Sequence, residues 1–84
     1  MATKNWRKEK TTEVSFEIIE TLGVLSGPND NGWSKEVNVV AWNGGVPKVE
    51  VREWDEKHER CGKGIRFTDE EAEALGKILV ETFK

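Results

Sequence analysis

The chain contains little that could cross-link it, with one cysteine, Cys61, among 84 residues. A single cysteine excludes an intramolecular disulfide and a cysteine-rich metal site, and a free thiol is typical of a reducing compartment. A domain this small buries only about 60% of its unfolded surface. Because small domains without cross-links often gain stability by association, we expect one domain that forms a homodimer. The expected location is the cytoplasm, with a bacterial nucleoid or a nucleus equally compatible.

Long apolar runs and catalytic motifs are also missing. No run approaches the roughly 18 residues of a membrane span, and the first ten residues lack the apolar region of a signal peptide. The triplet Gly62-Lys63-Gly64 is too short for a phosphate-binding loop. His58 and Cys61 share a charged loop that supplies neither a nucleophile with its base nor a set of metal ligands. We therefore expect no enzyme activity, metal, cofactor, membrane partner or small-molecule substrate.

Charge of one sign does not dominate the chain, although its net charge is −3. Four cations and one acid in residues 1–10 give +3, whereas two cations and five acids in residues 68–84 give −3. The total argues weakly against a nucleic-acid partner. The uneven distribution leaves room for one, with a moderate and strongly salt-dependent affinity for phosphates.

Alternating and β-branched residues predict four strands, over residues 14–26, 33–42, 48–54 and 64–67. Turns are predicted at 27–32 and at 43–45, where Asn-Gly-Gly suits positive φ angles, and Gly23 predicts a bulge. We expect an α+β fold, a curved four-stranded antiparallel meander followed by one C-terminal helix, which dimerises. Residues 1–12 are expected to form a flexible tail and residues 13–84 the domain. In the first strand one parity holds Phe16, Ile18, Leu22 and Val24, and in the fourth strand Ile65 and Phe67 are expected to point inward.

Thr68 begins the predicted helix, and Glu71 completes a capping box three residues later. Apolar residues then recur at the spacing of a helix, which indicates a core-facing stripe. Val80, which lies off this stripe, and Phe83 are expected to extend it into a dimer interface. The interface prediction comprises Leu75, Ile78, Leu79, Val80 and Phe83.

The third predicted strand carries the most informative pattern. Alternation places Val49, Val51 and Glu53 on one face, and Lys48, Glu50, Arg52 and Trp54 on the other. An exposed aromatic ring beside cations can stack single-stranded bases and neutralise their phosphates, and Trp42 joins this face if the Asn-Gly-Gly turn pairs the strands directly. The alternative is that the two tryptophans pack on each other or under the helix.

Other candidate nucleic-acid contacts have an ordinary interpretation beside the functional one. Lys63 lies between two glycines, which allow close approach of a phosphate, but it could be a simple turn residue. Trp33 could stack a base or cover a sheet edge, and the cations near strand ends could be merely solvated. Asn38 could bond a base edge. The full set comprises Trp54, Arg52, Lys63, Trp42, Trp33, Lys35, Lys48, Arg66 and Asn38.

The order of these elements, with the segments 49–54 and 62–65, resembles the positive-cofactor-four family of transcriptional coactivators, in particular its small bacterial members. The resemblance implies a homodimer whose helices pack together and whose curved sheets bind single-stranded DNA. By position, Arg52, Trp54 and Lys63 match family residues that contact nucleic acid. The chain departs from the family in lacking the Ser- and Lys-rich N-terminal region of eukaryotic members. Acidic residues in the loop before Gly62 also weaken the expected basic rim.

Two functions follow as hypotheses. The first is a dimeric protein that binds single-stranded DNA, or RNA, with little sequence preference during transcription, replication or repair. The second is a protein-interaction module whose aromatic sheet face binds a peptide and whose acidic helix meets a basic partner. Total charge favours the second hypothesis, whereas aromatic and cationic residues on one strand face favour the first.

Overall fold

The structure, a computed structural model, describes residues 15–84 and confirms the predicted meander with one C-terminal helix. The strands are β1 (Phe16–Ser26), β2 (Ser34–Trp42), β3 (Lys48–Trp54) and β4 (Cys61–Phe67), and the helix α1 spans Asp69–Thr82. Consecutive strands pair antiparallel in the order β1-β2-β3-β4. The predicted tail, residues 1–12, lies outside the described residues. Within the described part of the chain, no helix has the length and apolar character needed to cross a membrane.

The two hairpin turns use the residues that their backbone requires. Asn43 and Gly44 have φ angles of 53° and 73°, and the Gly45 N–H donates to the Trp42 carbonyl at 2.8 Å. This geometry confirms the predicted turn with positive φ angles. At the other turn, Gly27 has φ 102°, and a Cβ there would lie 2.6 Å from the Trp33 carbonyl oxygen. Only glycine fits this position.

The capping box at the start of α1 is confirmed. The Thr68 hydroxyl accepts from the Glu71 N–H at 3.1 Å, and the Glu71 carboxylate accepts from the Thr68 N–H at 2.9 Å. Asp69 and Glu70 add negative charge where the helix dipole favours it. No residue of α1, which lies wholly within the described chain, is buried. The sheet of the single chain therefore covers the apolar stripe of the helix only in part.

Strand β1 departs from the predicted alternation. Its pairing with β2 shifts register three times, between Ile18 and Glu20, between Thr21 and Gly23, and between Val24 and Ser26. The second shift agrees with the bulge predicted at Gly23. The prediction that Leu22 shares the face of Phe16, Ile18 and Val24 is wrong, because each bulge adds a residue and changes the parity of the strand.

Strand β4 is longer than predicted. It begins at Cys61, which pairs with Trp54, rather than at Gly64. A register shift between Arg52 and Trp54 sets two residues of β4, Gly62 and Lys63, opposite the single residue of β3 between them. The glycine-rich start of β4 is thus part of the sheet, as a bulge, rather than part of the preceding loop.

The sheet bends strongly toward one face. Trp54 is paired with Ser34, and a flat strand over positions 34–42 would hold Ser34 and Trp42 about 26 Å apart. Yet the rings of Trp42 and Trp54 have centroids only 6.3 Å apart. We call the face that carries Trp42, Glu50, Arg52 and Trp54 the concave face. The opposite, convex face carries Val37, Val49, Val51 and Phe67 together with α1.

The concave face, and not the convex one, holds the most deeply buried side chains. Trp54, Glu50, Val40 and Asn38 have 0% exposure. The expectation of an exposed Trp54 is therefore wrong, because the bent sheet encloses it. The expectation that Ile65 points into a core is also wrong for the single chain, since Ile65 is 59% exposed on the convex side.

An aromatic cluster closes around Trp54. The ring of Phe16, from β1, lies 5.0 Å from that of Trp54, and the His58 ring lies 5.6 Å away on another side. The Trp42 ring is nearly parallel to the Trp54 ring, with an interplanar angle of 13°. The two tryptophans therefore follow the alternative interpretation of the sequence, in which they pack on each other.

The position of Trp54 predicts that it stabilises the fold. We expect Trp54→Ala to lower the free energy of unfolding by about 3–5 kcal/mol, because it empties the centre of the aromatic cluster. Urea denaturation followed by circular dichroism measures this loss. Trp33→Ala, which removes a half-buried ring outside the cluster, is the matched control. A wild-type midpoint for Trp54→Ala would contradict the assignment of Trp54 as a core residue.

Candidate nucleic-acid interface

A buried carboxylate organises the centre of the concave face. Glu50 Oε2 lies 2.7 Å from Arg52 Nε, and Glu50 Oε1 lies 3.3 Å from Arg66 Nε. Trp42 Nε1 donates to Glu50 Oε1 at 3.0 Å. Two guanidinium groups and an indole N–H therefore compensate the burial of this charge, which would otherwise be costly. The hydrogen bond with Glu50 raises the pKa of Arg52 above its usual value.

Arg52 and Trp42 form one composite surface. The Arg52 Cζ atom lies 4.9 Å from the centroid of the Trp42 ring, within the range of a cation–π contact. Trp42 is half-buried, and the Arg52 side chain keeps 14% of its exposure. A flat cation and an indole at a partly open surface can together offer a planar face to a base.

A second carboxylate, that of Glu36, fixes the loop that follows β3. His58 Nε2 lies 3.0 and 2.9 Å from the two carboxylate oxygens of Glu36. Asn38 Nδ2 donates to the same carboxylate at 3.1 Å. His58 adopts φ 59°, and its ring covers one side of Trp54. The His58–Glu36 contact therefore holds the β3–β4 loop over the aromatic cluster.

Asp55 shapes the same loop from its start. Its carboxylate accepts from the backbone N–H groups of Glu59 and Arg60, at 2.8 and 3.0 Å. These hydrogen bonds, the one from Arg60 first, lower the pKa of Asp55 below its usual value. The negative charge that weakens the basic rim thus has a local structural use in closing the loop.

Some predicted contacts share the concave face with Arg52 and Trp42. Lys48 pairs with Val40, and Arg66 pairs with Glu50. Arg66 keeps 31% side-chain exposure while donating from Nη2 to the Val40 carbonyl at 2.8 Å. Lys48 and Arg66 can therefore meet a phosphate near the composite surface.

The other predicted contacts do not form part of the surface made by Arg52 and Trp42. Lys35 is exposed on the convex side, where it pairs with Glu53. Trp33 is half-buried and directly precedes the first residue of β2. Lys63 is exposed at the bulge of β4. Asn38 is fully buried and bonded to Glu36, so it does not present its amide to a base in this conformation.

Sequence reasoning missed the two buried carboxylates. Glu36 shares a face of β2 with Trp42, and Glu50 shares a face of β3 with Trp54. Alternation therefore already places both acids beside the predicted stacking residues. The missing signal was that this face is enclosed, which turns each acid from a repulsive surface charge into a required partner. Gly64 was also missed, although it pairs directly with Arg52.

The concave face shows no arrangement suited to metal chemistry. Among the described residues, no group of three or more His, Cys, Asp or Glu side chains could hold a metal ion. Cys61 is free and half-buried beside Trp54.

Four of the five residues predicted for the dimer interface lie exposed on the single chain. Ile78, Val80 and Phe83 are 60%, 64% and 81% exposed, and Leu79 is 46% exposed. Leu75 is half-buried against the convex face. Large apolar side chains exposed together on one helix are typical of an interaction surface.

Comparison with known proteins identifies the family of the chain. The family model described as Transcriptional Coactivator p15 (PC4) matches residues 29–78, from the first turn to the middle of α1. A protein of Treponema pallidum (strain Nichols), described as uncharacterized, is 36% identical over 64 residues, which cover 76% of this chain and 74% of the relative. The matched segment contains Trp42, Glu50, Arg52, Trp54 and Lys63. The chain therefore belongs to the Transcriptional Coactivator p15 (PC4) family.

Proposed function

We propose that this protein binds single-stranded DNA with little sequence preference, on the concave face of its sheet, as a homodimer. Membership in a family of nucleic-acid-binding coactivator domains supports a general role in DNA binding. The observation that carries the finer proposal is the composite surface of Arg52 over Trp42. Such a surface stacks any base, because every base has a π-face.

The charges around this surface suit a moderate affinity for phosphates. On the concave face the cations Lys48, Arg52 and Arg66 outnumber the acids Glu36 and Glu50 by one. Since Arg52 and Arg66 both contact Glu50, much of their charge is already compensated. We infer that stacking supplies a large share of the binding energy and that electrostatic attraction supplies a smaller one.

The buried Trp54 changes the expected mechanism. Its ring lies behind the accessible surface, nearly parallel to that of Trp42, so it supports the platform and does not itself receive a base. Of the two tryptophans predicted to stack bases, Trp42 therefore keeps this role in the proposal and Trp54 does not. Lys63 is exposed on the bulge of β4, and it is a candidate to contact the phosphate that follows the stacked base.

The convex face supports the homodimer. A groove of about 350 Å³ runs between the sheet and α1. It is lined mainly by Leu22, Leu25, Val37, Val51, Leu75 and Leu79. Leu22 and Leu25 are 51% and 59% exposed, and Phe83 is 81% exposed. Because the groove and the exposed helix residues lie on one side of the same chain, a two-fold arrangement can cover both at once.

The cellular role follows from these properties as a further part of the proposal. A protein that holds melted strands without reading sequence acts in transcription, replication or repair, in the cytoplasm or on the bacterial nucleoid. RNA is the alternative ligand, since stacking does not distinguish the sugars. Binding of a peptide by the concave face is the alternative from another class, and the titrations below separate it from strand binding.

Single-stranded DNA should bind more tightly than duplex of the same sequence, because only unstacked bases can lie flat on the composite surface of Arg52 and Trp42. We expect Trp42→Ala to weaken binding of oligo(dT) by about 1–3 kcal/mol, the range for one base stack. Fluorescence anisotropy with labelled strands measures both effects. Trp33 precedes the start of β2, and Trp33→Ala tests whether a second base stacks on that ring. Equal affinity for duplex and single strand would reject stacking on Trp42.

Salt dependence should separate the two faces. We expect Lys48→Ala to flatten the plot of log affinity against log salt by about 0.7, the value for one phosphate contact on a single strand. The same measurement on Lys63→Ala tests whether Lys63, at the bulge of β4, contacts a phosphate. Lys35→Ala makes the same charge change on the convex face and should leave the slope unchanged. A reduced slope for Lys35→Ala with no change for Lys48→Ala would place the strand on the wrong face for this proposal.

The proposed dimer should depend on the exposed end of α1. We expect Val80→Glu or Phe83→Glu to convert the dimer to a monomer, because each places a charge in an apolar contact. Light scattering at micromolar concentration measures the mass. Glu70→Gln, in the first turn of the helix, is the control and should remain dimeric. A wild-type monomer would reject the dimer, and dimeric variants at both positions would place the interface elsewhere.

A further inference from the structure

Glu50 makes an unusual number of contacts to residues of the proposed binding surface. Arg52 approaches it with two nitrogens, Nε to Oε2 at 2.7 Å and Nη2 to Oε1 at 3.2 Å. Trp42 donates its indole N–H to Oε1 at 3.0 Å. Arg66 brings a second guanidinium to Oε1 at 3.3 Å. One carboxylate with 0% exposure therefore touches three side chains of the concave face.

The guanidinium of Arg52 is fixed from its other side as well. Its Nη1 donates to the Gly62 carbonyl at 2.9 Å. A Cβ on Gly64, the cross-strand neighbour, would lie 2.7 Å from Arg52 Cζ and 2.8 Å from Arg52 Nε. The absence of a side chain at Gly64 therefore leaves the space that the guanidinium occupies.

These contacts determine the orientation of both parts of the composite surface. Paired bonds between a carboxylate and a guanidinium fix the plane of the guanidinium as well as its position. The bond to the indole N–H fixes the Trp42 ring relative to the same carboxylate. Without Glu50, both side chains could adopt other rotamers, and a base would have to order them on binding at a cost in affinity.

We propose that Glu50 is a positioning residue, which orders Arg52 and Trp42 into a single stacking surface for a base of the bound strand. This inference rests on the proposed function, because it concerns how that same surface binds. It assigns an acid a favourable role in binding a polyanion. Electrostatic repulsion alone predicts instead that Glu50 weakens the binding of DNA.

The decisive variant is Glu50→Gln, which keeps the shape of the side chain and removes its negative charge. If Glu50 acts only as a charge, its removal should tighten binding to DNA. If Glu50 positions the surface, binding of oligo(dT) should weaken by about fivefold or more, which corresponds to at least 1 kcal/mol of lost stacking. Glu53→Gln, an exposed position on the other face of β3, makes the same charge change and should not weaken binding.

An abasic strand of the same length supplies the readout that a general structural defect would not produce. It retains the phosphates and lacks the bases, so the ratio of oligo(dT) affinity to abasic affinity reports base stacking alone. We expect this ratio to fall in Glu50→Gln, while affinity for the abasic strand stays the same or rises. A ratio equal to that of the wild type, in a variant with a wild-type circular dichroism spectrum, would overturn the inference.

Glu50→Asp keeps the charge and withdraws the carboxylate by one methylene, so it tests geometry even if Glu50→Gln does not fold. We expect it too to lower the ratio, because the shorter side chain cannot reach Arg52 and Trp42 together. An unchanged ratio would overturn the inference. If the wild-type protein binds oligo(dT) and the abasic strand equally, the proposed stacking function itself fails. A wild-type preference for bases that survives both Glu50 variants rejects only the positioning role.

Discussion

The bending of the sheet around Trp54 is the constraint on which the rest of the structure depends. It brings the two ends of β2 close enough for Trp42 and Trp54 to approach, although their positions would be far apart on a flat sheet. Bulges make this bending possible, because each extra residue bends its strand and increases the local twist. Three register shifts in β1 and one in the β3–β4 pairing supply them.

Enclosing the concave face places acids and aromatic rings in the interior of a small domain. Buried acids are costly unless each has charged or hydrogen-bonding partners. Glu50 has Arg52, Arg66 and Trp42, and Glu36 has His58 with Asn38. The side chains that satisfy Glu50 are also those that border solvent. The buried carboxylate of Glu50 therefore shares its contacts with the proposed binding surface, so a change at Glu50 alters the surroundings of Arg52 and Trp42.

The sequence allowed the local features to be predicted well. The bounds of β3, the capping box of Thr68 and Glu71, and the turn at Asn43 each depend on a few neighbouring residues, and the structure confirms all three. Alternation also identified correctly which residues of β3 share a face. It could not show which face is enclosed, because that depends on how far the whole sheet bends.

The errors have the same origin. Leu22 lies on the face opposite to the one that alternation predicts, because bulges in β1 interrupt the two-residue period. Alternation predicts an exposed Trp54 because its burial depends on Phe16, which is distant in sequence, and on a loop conformation that brings His58 over the ring. The family resemblance implies the function class but not this burial, so the sequence predicts stacking on both Trp54 and Trp42, although only the Trp42 ring is partly exposed.

The two faces of the sheet are complete to different degrees in the single chain. On the concave face the two buried carboxylates, Glu36 and Glu50, have partners within the single chain, whereas the convex face leaves the apolar residues of α1 exposed. Association through the convex side would therefore leave both concave faces open. In such a dimer, a strand bound to one concave face would meet the second concave face at a high effective concentration. A strand long enough to reach both would then bind more tightly than the modest charge of a single face suggests.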